Sequence, residues 1–320
     1  MTNTKKIDIE SLEKKEIPQL SSVSGWKEIL VQPSSEPLVP LGLSSNFNIF
    51  TSSIYFSEHD NSPYLPNQLS GSLITIFIRQ GVAEQLIQAE EMLPRGYHLV
   101  VFDGWRPLEV QKSLYDEYYQ SLKTKFPSWS EDELVQETQK YVSLPSNNPS
   151  RPSPHNTGGA VDLALMKLPD SAEEKLKSLS TKNQDTEIER AKIILASAKL
   201  LNFGTQFDWG GSEAALRHLE ELAKQRELNE EEKEALANRR VLYYLMKDVG
   251  LEAYADEWWH YNAPQTQMGA KTAGLAVASY GAIEISSSDF QLELARRKLA
   301  EKIGRNTVFP KAAIIKPPEK

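Results

Sequence analysis

The chain has 320 residues, 40% hydrophobic and 25% charged, which is enough to bury a sizeable core as one large domain or two small ones. Its net charge of −8 argues against a nucleic-acid surface, which needs clustered Lys and Arg. It has no cysteine, which excludes disulfides, thiolate metal sites and Cys nucleophiles, so any metal must be held by His, Asp or Glu.

The first twenty residues, MTNTKKIDIESLEKKEIPQL, are polar and lack the apolar run of a secretory signal. No stretch reaches the ~20 apolar residues that span a bilayer, so no membrane span is expected and a cytoplasmic location is the default. Residues 1–40, with Pro18, Pro33, Pro37 and Pro40, read as an extension that wraps the domain or is partly disordered. NFNIFTSSIYF at 46–56 suggests strands or an ordered loop, and SLITIFI at 72–78 reads as a strand. Val82, Leu86, Ala89 and Leu93 recur at helical spacing, which predicts a helix over 80–94 ended by Pro94 and Gly96. HLVVFD at 98–103 is a short apolar run and predicts a buried strand. Pro107 suits the first turn of a helix that Val110, Leu114, Tyr118 and Leu122 continue to about residue 125.

Ser130 and Glu133 form a capping-box pattern ahead of a helix over 131–142. LPSNNPSRPSPHN at 144–156 is too rich in Pro, Ser and Asn to be anything but loop. AVDLALM at 160–166 reads as a strand, 169–187 as a polar insertion and 188–201 as a helix. GTQFDWGG at 204–211 is a turn-rich loop, followed by helices over 213–227 and 230–248, with Asn229 capping the second. EWWHYN is strand-like, and QLELARRKLAEKI at 291–303 is a charged helix before a Pro/Lys-rich end. Helices mixed with short strands indicate the α+β class. The expected organisation is an extension over 1–40, a main domain over 41–282 and a helical tail over 283–320.

Three clusters carry chemistry. SPHNTGGAVD at 153–162 holds His155 and Asp162 with two glycines between them. EWWH at 257–260 adds Glu257 and His260. Two histidines and one carboxylate can hold Zn²⁺ and leave a fourth position for water, and a further carboxylate beside them can take that water's proton. Glu257 and His260 are three apart and cannot share a face of a regular strand, so a bulge or irregular turn is expected there. Trp258 and Trp259 are expected to form an apolar wall that raises the basicity of Glu257. In FDGWRP at 102–107, Arg106 lies between a strand and a helix, where a guanidinium can stabilise an oxyanion. The chain has five histidines, and His59, His98 and His218 are read as structural.

These motifs, in this order, resemble the D-alanyl-D-alanine dipeptidases, a branch of the zinc D,D-peptidases. The resemblance covers roughly residues 41–270 and includes Gln111 after DGWRP and FGTQFD at 203–208. EWWH and DGWRP favour the dipeptidase branch over the D,D-carboxypeptidases. The resemblance implies one zinc per chain held by His155, Asp162 and His260, with Glu257 as general base and acid and Arg106 as transition-state stabiliser. It implies hydrolysis of the small D,D-dipeptide D-Ala-D-Ala within peptidoglycan metabolism. The implied fold is a small antiparallel sheet flanked by helices, like the zinc D,D-peptidase and hedgehog-type folds. Ser153 and Asp208 match motif positions and are expected to contact substrate, Asp208 at the ammonium and Ser153 at the carboxylate. Two rival readings remain, a D,D-carboxypeptidase or endopeptidase acting on longer peptidoglycan peptides, and a non-catalytic zinc-binding domain. A homo-oligomer is left open.

Overall fold

The computed structural model describes residues 5–42, 49–58, 62, 64, 69–142, 144–146, 148–179 and 184–303. His59, residues 46–48 of the expected strand segment and the Pro/Lys-rich end lie outside the described residues.

In chain order the elements are α1 (Ile9–Glu13), β1 (Leu30–Val31), β2 (Leu38–Pro40), β3 (Phe50–Thr51), β4 (Phe77–Arg79), α2 (Gln80–Met92), β5 (Tyr97–Asp103), α3 (Leu108–Lys125) and α4 (Glu131–Tyr141). Then come β6 (Ala160–Lys167), α5 (Asp170–Ser178), α6 (Gln184–Ser197), β7 (Lys199–Leu200), α7 (His218–Gln225), α8 (Glu230–Asp248), β8 (Glu252–Ala253), β9 (His260–Asn262), α9 (Gln267–Thr272), β10 (Val277–Ala278) and α10 (Ser287–Ile303). The α+β class is observed. The main sheet runs β3-β5-β6-β9-β8, and β7 shares with β9 the edge of β6 that faces away from β5. It is antiparallel, as expected, except for one pair: β3 runs parallel to β5.

The central strand follows from its composition. Every residue of β6 except Lys167 is buried, as a strand covered on both faces requires. Helix α8 packs against it, with Val241, Leu242 and Leu245 in the core. Two helix starts are dictated locally. Ser130 and Glu133 make both bonds of a capping box, as do Asn229 and Glu232.

Segments expected at the periphery are tied to this core. Ile17 is fully buried, and its N–H donates to Glu220 at 2.9 Å. Strand β2 pairs with β4, and β1 pairs with β10. On α10 the buried Glu293 accepts the N–H groups of Ile74 and Thr75 at 3.0 and 2.9 Å. Those bonds explain why only Phe77–Arg79 of the 72–78 run and its neighbour is strand. The polar 169–187 segment contains α5 and the start of α6, and its Ala172 and Glu173 are buried. The helix expected over 188–201 spans Gln184–Ser197 instead, because residues 199–200 pair with β6 and Leu201 N–H donates to Leu165 O. The helix expected over 213–227 is a 3₁₀ turn followed by α7 from His218. Pro107 is the N-cap of α3 and not its first helical residue. No helix among the described residues is long and apolar enough to cross a membrane.

His98, on β5, sits between two carboxylates, with Nδ1 2.7 Å from Glu90 and Nε2 2.7 Å from Glu173. Burial works against the imidazolium, but the hydrogen bonds to Glu90 and Glu173 outweigh it and raise the pKa above the ordinary histidine value. A histidine raised on folding contributes stability in full below its unfolded pKa of ~6.5, and that contribution fades as pH rises through the folded value. His98→Gln is therefore expected to cost about 1 kcal/mol at pH 6, a figure discounted for partial exposure, and less at pH 8.5. Urea unfolding of both proteins at the two pH values measures this, and an equal cost at both would contradict it.

Candidate metal centre

Three adjacent strands carry acidic and basic side chains in one row. Asp162 on β6 is paired in register with Asp103 on β5 and with His260 on β9. Directly paired residues share a face, so the three side chains meet on one side of the sheet. The ladder is irregular between Val101 and Asp103, which re-aims Asp103 toward the same point.

His155 comes from the loop before β6, in a 3₁₀ turn spanning His155–Thr157. Gly158 closes that turn with φ +69°, a conformation suited to glycine, and its N–H donates to His155 O at 2.9 Å. Arg106 N–H donates to the same carbonyl, so the turn is fastened to the FDGWRP segment.

The ring tautomers follow from the partners. His155 Nδ1 lies 2.8 Å from the carbonyl of Gly104 and 3.3 Å from Asp103, both acceptors, so Nδ1 carries hydrogen. Its Nε2 then presents a lone pair 3.4 Å from Asp162 Oδ2. His260 Nε2 lies 3.2 Å from Asn262 Oδ1, whose own amide nitrogen donates to Met268 Sδ. His260 Nδ1 therefore presents its lone pair, 3.0 Å from Asp162 Oδ1 and 3.1 Å from His155 Nε2. One ligand atom from each of the three residues lies within 4.8 Å of the others, and all three residues are buried. Two lone pairs and a carboxylate converging out of water repel one another unless a cation sits among them. The set fits a divalent metal that takes N and O ligands.

Glu257 precedes β9. Residues 257–259 form a turn, and His260 N–H closes it on Glu257 O at 3.4 Å. The expected break from regular strand is thus present, and the strand begins only at His260. Glu257 Oε2 lies 3.7 Å from His260 Nδ1, beside the ligand atoms but not among them. Burial pushes its carboxyl up to about 7, with His260 opposing and Asp162 and Asp208 adding to the rise. The two tryptophans beside Glu257 pack inward on aromatic partners. Trp258 stacks on Phe203 at 4.2 Å, Trp259 packs on Phe207 at 5.3 Å, and both are 2% exposed. They root the turn in the core.

Arg106 is fixed by four contacts. Nε and Nη2 each lie 2.8 Å from Asp103 Oδ2, Nη1 donates to Gln111, and Nη2 donates to the Tyr55 hydroxyl. The guanidinium also lies over the Tyr55 ring. Nη2 is 3.6 Å from Asp162 Oδ2, which places this cation at the edge of the ligand cluster. Burial disfavours the cation, but Tyr55, Asp103, Asp162 and Asp208 outweigh it and keep Arg106 protonated.

Asp208 lies in the 204–212 loop at φ +61°, a conformation an Asp tolerates better than most residues. It accepts from the Tyr64 hydroxyl. Its side chain is exposed at the surface, yet the surrounding protein desolvates and raises its carboxyl, Tyr64 and Arg106 oppose this, and Asp162 and Asp103 add to it, so Asp208 shares the site's electrostatic field. Ser153 is partly buried, and its Oγ accepts from Asn156 N–H at 3.2 Å, which caps the His155 turn. His98 belongs to the pair of carboxylates described above, and His218 opens α7 half-buried.

Asp103, Tyr55 and Asn262 were not singled out from the sequence. Asp103 stands three residues before Arg106, and Asn262 stands two after His260 on one strand face. Those spacings were readable signals.

Residues 195–278, which include Asp208, Glu257 and His260, match a family model described as D-ala-D-ala dipeptidase. The chain is similar to a D-alanyl-D-alanine dipeptidase of Synechocystis sp. (strain ATCC 27184 / PCC 6803 / Kazusa), 22% identical over 247 residues that cover 73% of this chain and 84% of that one. It is also similar to a D-alanyl-D-alanine dipeptidase of Enterococcus faecium, 26% identical over 186 residues that cover 56% of this chain and 69% of that one.

Proposed function

We propose that the chain, which is similar to D-alanyl-D-alanine dipeptidases, is a zinc metallopeptidase hydrolysing D-Ala-D-Ala to two D-alanines. The observation that carries this is the convergence of His155, Asp162 and His260 ligand atoms within 4.8 Å, with Glu257 beside them. A Zn²⁺ held by His155, Asp162 and His260 would supply Lewis-acid polarisation of the peptide carbonyl and would lower the pKa of a water. Glu257 takes that water's proton, since a carboxyl raised to about 7 is matched to proton transfer near neutrality. It then returns the proton to the leaving amine. Arg106 donates N–H to the carbonyl oxygen as negative charge develops there. Asp103, Gln111 and Tyr55 hold the guanidinium so that no reorganisation is needed at that moment. Asp208 pairs with the substrate's ammonium, and the Ser153 hydroxyl offers its proton to the substrate's carboxylate.

Asn262 fixes the tautomer of His260 from behind, as partners of metal-bound histidines generally do. Asn262→Leu is expected to weaken Zn²⁺ binding by about 10–100-fold. Titration against a chromogenic chelator reads this directly, and an unchanged affinity would remove Asn262 from the metal's support.

The rival peptidase reading is tested by offering the zinc-loaded protein D-Ala-D-Ala and a muropeptide ending in D-Ala-D-Ala. Efficient cleavage of the free dipeptide alone supports the proposal. Cleavage of the muropeptide alone would make the protein a D,D-carboxypeptidase or endopeptidase.

A further inference from the structure

Arg239 on α8 is 1% exposed, and it has no carboxylate partner among the described residues. A buried cation without a counter-charge is costly to keep. Its compensation comes from three backbone carbonyls. Nε donates to Phe203 O at 2.8 Å, Nη1 to Ala215 O at 2.7 Å and Nη2 to Glu213 O at 2.8 Å. These carbonyls belong to the two stems of the 204–212 loop. That loop carries Thr205, Phe207 and Asp208.

The same stems hold the Glu257 turn. Ala214, between two of the clamped carbonyls, accepts from Trp258 N–H at 2.9 Å. Leu216 N–H donates to Ala255 O at 2.9 Å. Trp258 Nε1 donates to Thr205 Oγ1 at 2.8 Å, which ties the loop to the turn a second time. Arg239 thus stands one layer behind both Asp208 and Glu257 and touches neither. A cavity of about 140 Å³, lined in part by Gly204, Trp209, His218 and Leu222, also reaches it.

We propose that Arg239 is a positioning residue whose guanidinium registers the Asp208 loop against the Glu257 turn, so that both carboxylates address one substrate. The planar fork is essential, because three carbonyls in three directions cannot be met by a lysine ammonium at the end of a flexible stem. Burial pulls the Arg239 pKa down to about 9, so the cation persists at neutral pH.

The substrate part of this inference rests on the dipeptidase reading, so its test includes a readout independent of turnover. Arg239→Met and Arg239→Lys are compared with wild type for kcat, KM, zinc content and amide hydrogen exchange. Arg239→Met is expected to lose about 100-fold in kcat/KM, the scale of an ångström-level misplacement, with KM raised as well as kcat lowered and zinc retained. The amides of Leu216 and Trp258 should lose protection while those of β6 keep theirs. Arg239→Lys should show the same pattern in milder form, and it carries the test if the methionine variant does not fold. In Arg239→Ala, guanidinium entering through the cavity should restore part of the activity. A loss confined to kcat at unchanged KM, or protection lost equally from β6, would make Arg239 a general structural residue and overturn the proposal. If wild type shows no turnover of D-Ala-D-Ala, the dipeptidase reading fails on its own. The exchange pattern then decides for Arg239, with unchanged protection at Leu216 and Trp258 counting against it.

Discussion

Glu257→Ala is expected to lower kcat for D-Ala-D-Ala by on the order of 10²–10⁴-fold, the usual contribution of a positioned general base, while one zinc stays bound. The separation of the two effects follows from geometry. Glu257 Oε2 lies 3.7 Å from His260 Nδ1, while the three atoms that converge on a metal belong to His155, Asp162 and His260. Removing the carboxylate therefore removes a proton carrier without removing a ligand. The side chain keeps 31% of its surface open, so truncation leaves little cavity and stability should change by less than about 1 kcal/mol. Steady-state kinetics and metal analysis of the same preparation check both halves. Near-wild-type kcat, or loss of the zinc, would reassign Glu257.

Arg106→Ala carries the second large effect, and it should appear in two measurements. Loss of a preorganised donor at a developing oxyanion costs about 10²–10³-fold in kcat. The same change strips the buried Asp103 carboxylate of the guanidinium that it binds at 2.8 Å. Breaking one side of a buried ion pair typically costs about 3–5 kcal/mol, so unfolding in urea should shift strongly as well. Asp103→Asn separates the two roles. It keeps the guanidinium near the site but loosens its orientation, and it should cost less in kcat than Arg106→Ala. Equal turnover in Arg106→Ala and wild type would leave the arginine a purely structural partner of Asp103.

Much of this arrangement could be read from the sequence because its causes are local. The caps at Ser130 and Asn229 depend on residues three positions away, and the near-continuous apolar character of β6 marks a strand buried on both faces. His155, Asp162, Glu257 and His260 sit in dense motifs, so their types alone indicated a metal and a base. What escaped depends on neighbours across the sheet or on where a turn points a ring. Asp103 meets Asp162 only through the β5–β6 register, and Asn262 matters only once His260 is known to present Nδ1. The aromatic partners of Trp258 and Trp259, Phe203 and Phe207, are likewise set by where the 257–259 turn points the rings. The ends of α6 and β4 were set by bonds from distant chain, to Leu165 and Glu293, that no local pattern encodes.

The most direct measurement is D-alanine release from D-Ala-D-Ala by purified protein, first loaded with zinc, then stripped with a chelator and reloaded. The proposed chemistry requires two D-alanines per dipeptide from the loaded protein, none after stripping, and recovery when zinc returns. No release from protein shown to hold one zinc per chain would contradict it, and would assign the His155–Asp162–His260 cluster to a longer D-peptide substrate or to a non-catalytic metal site.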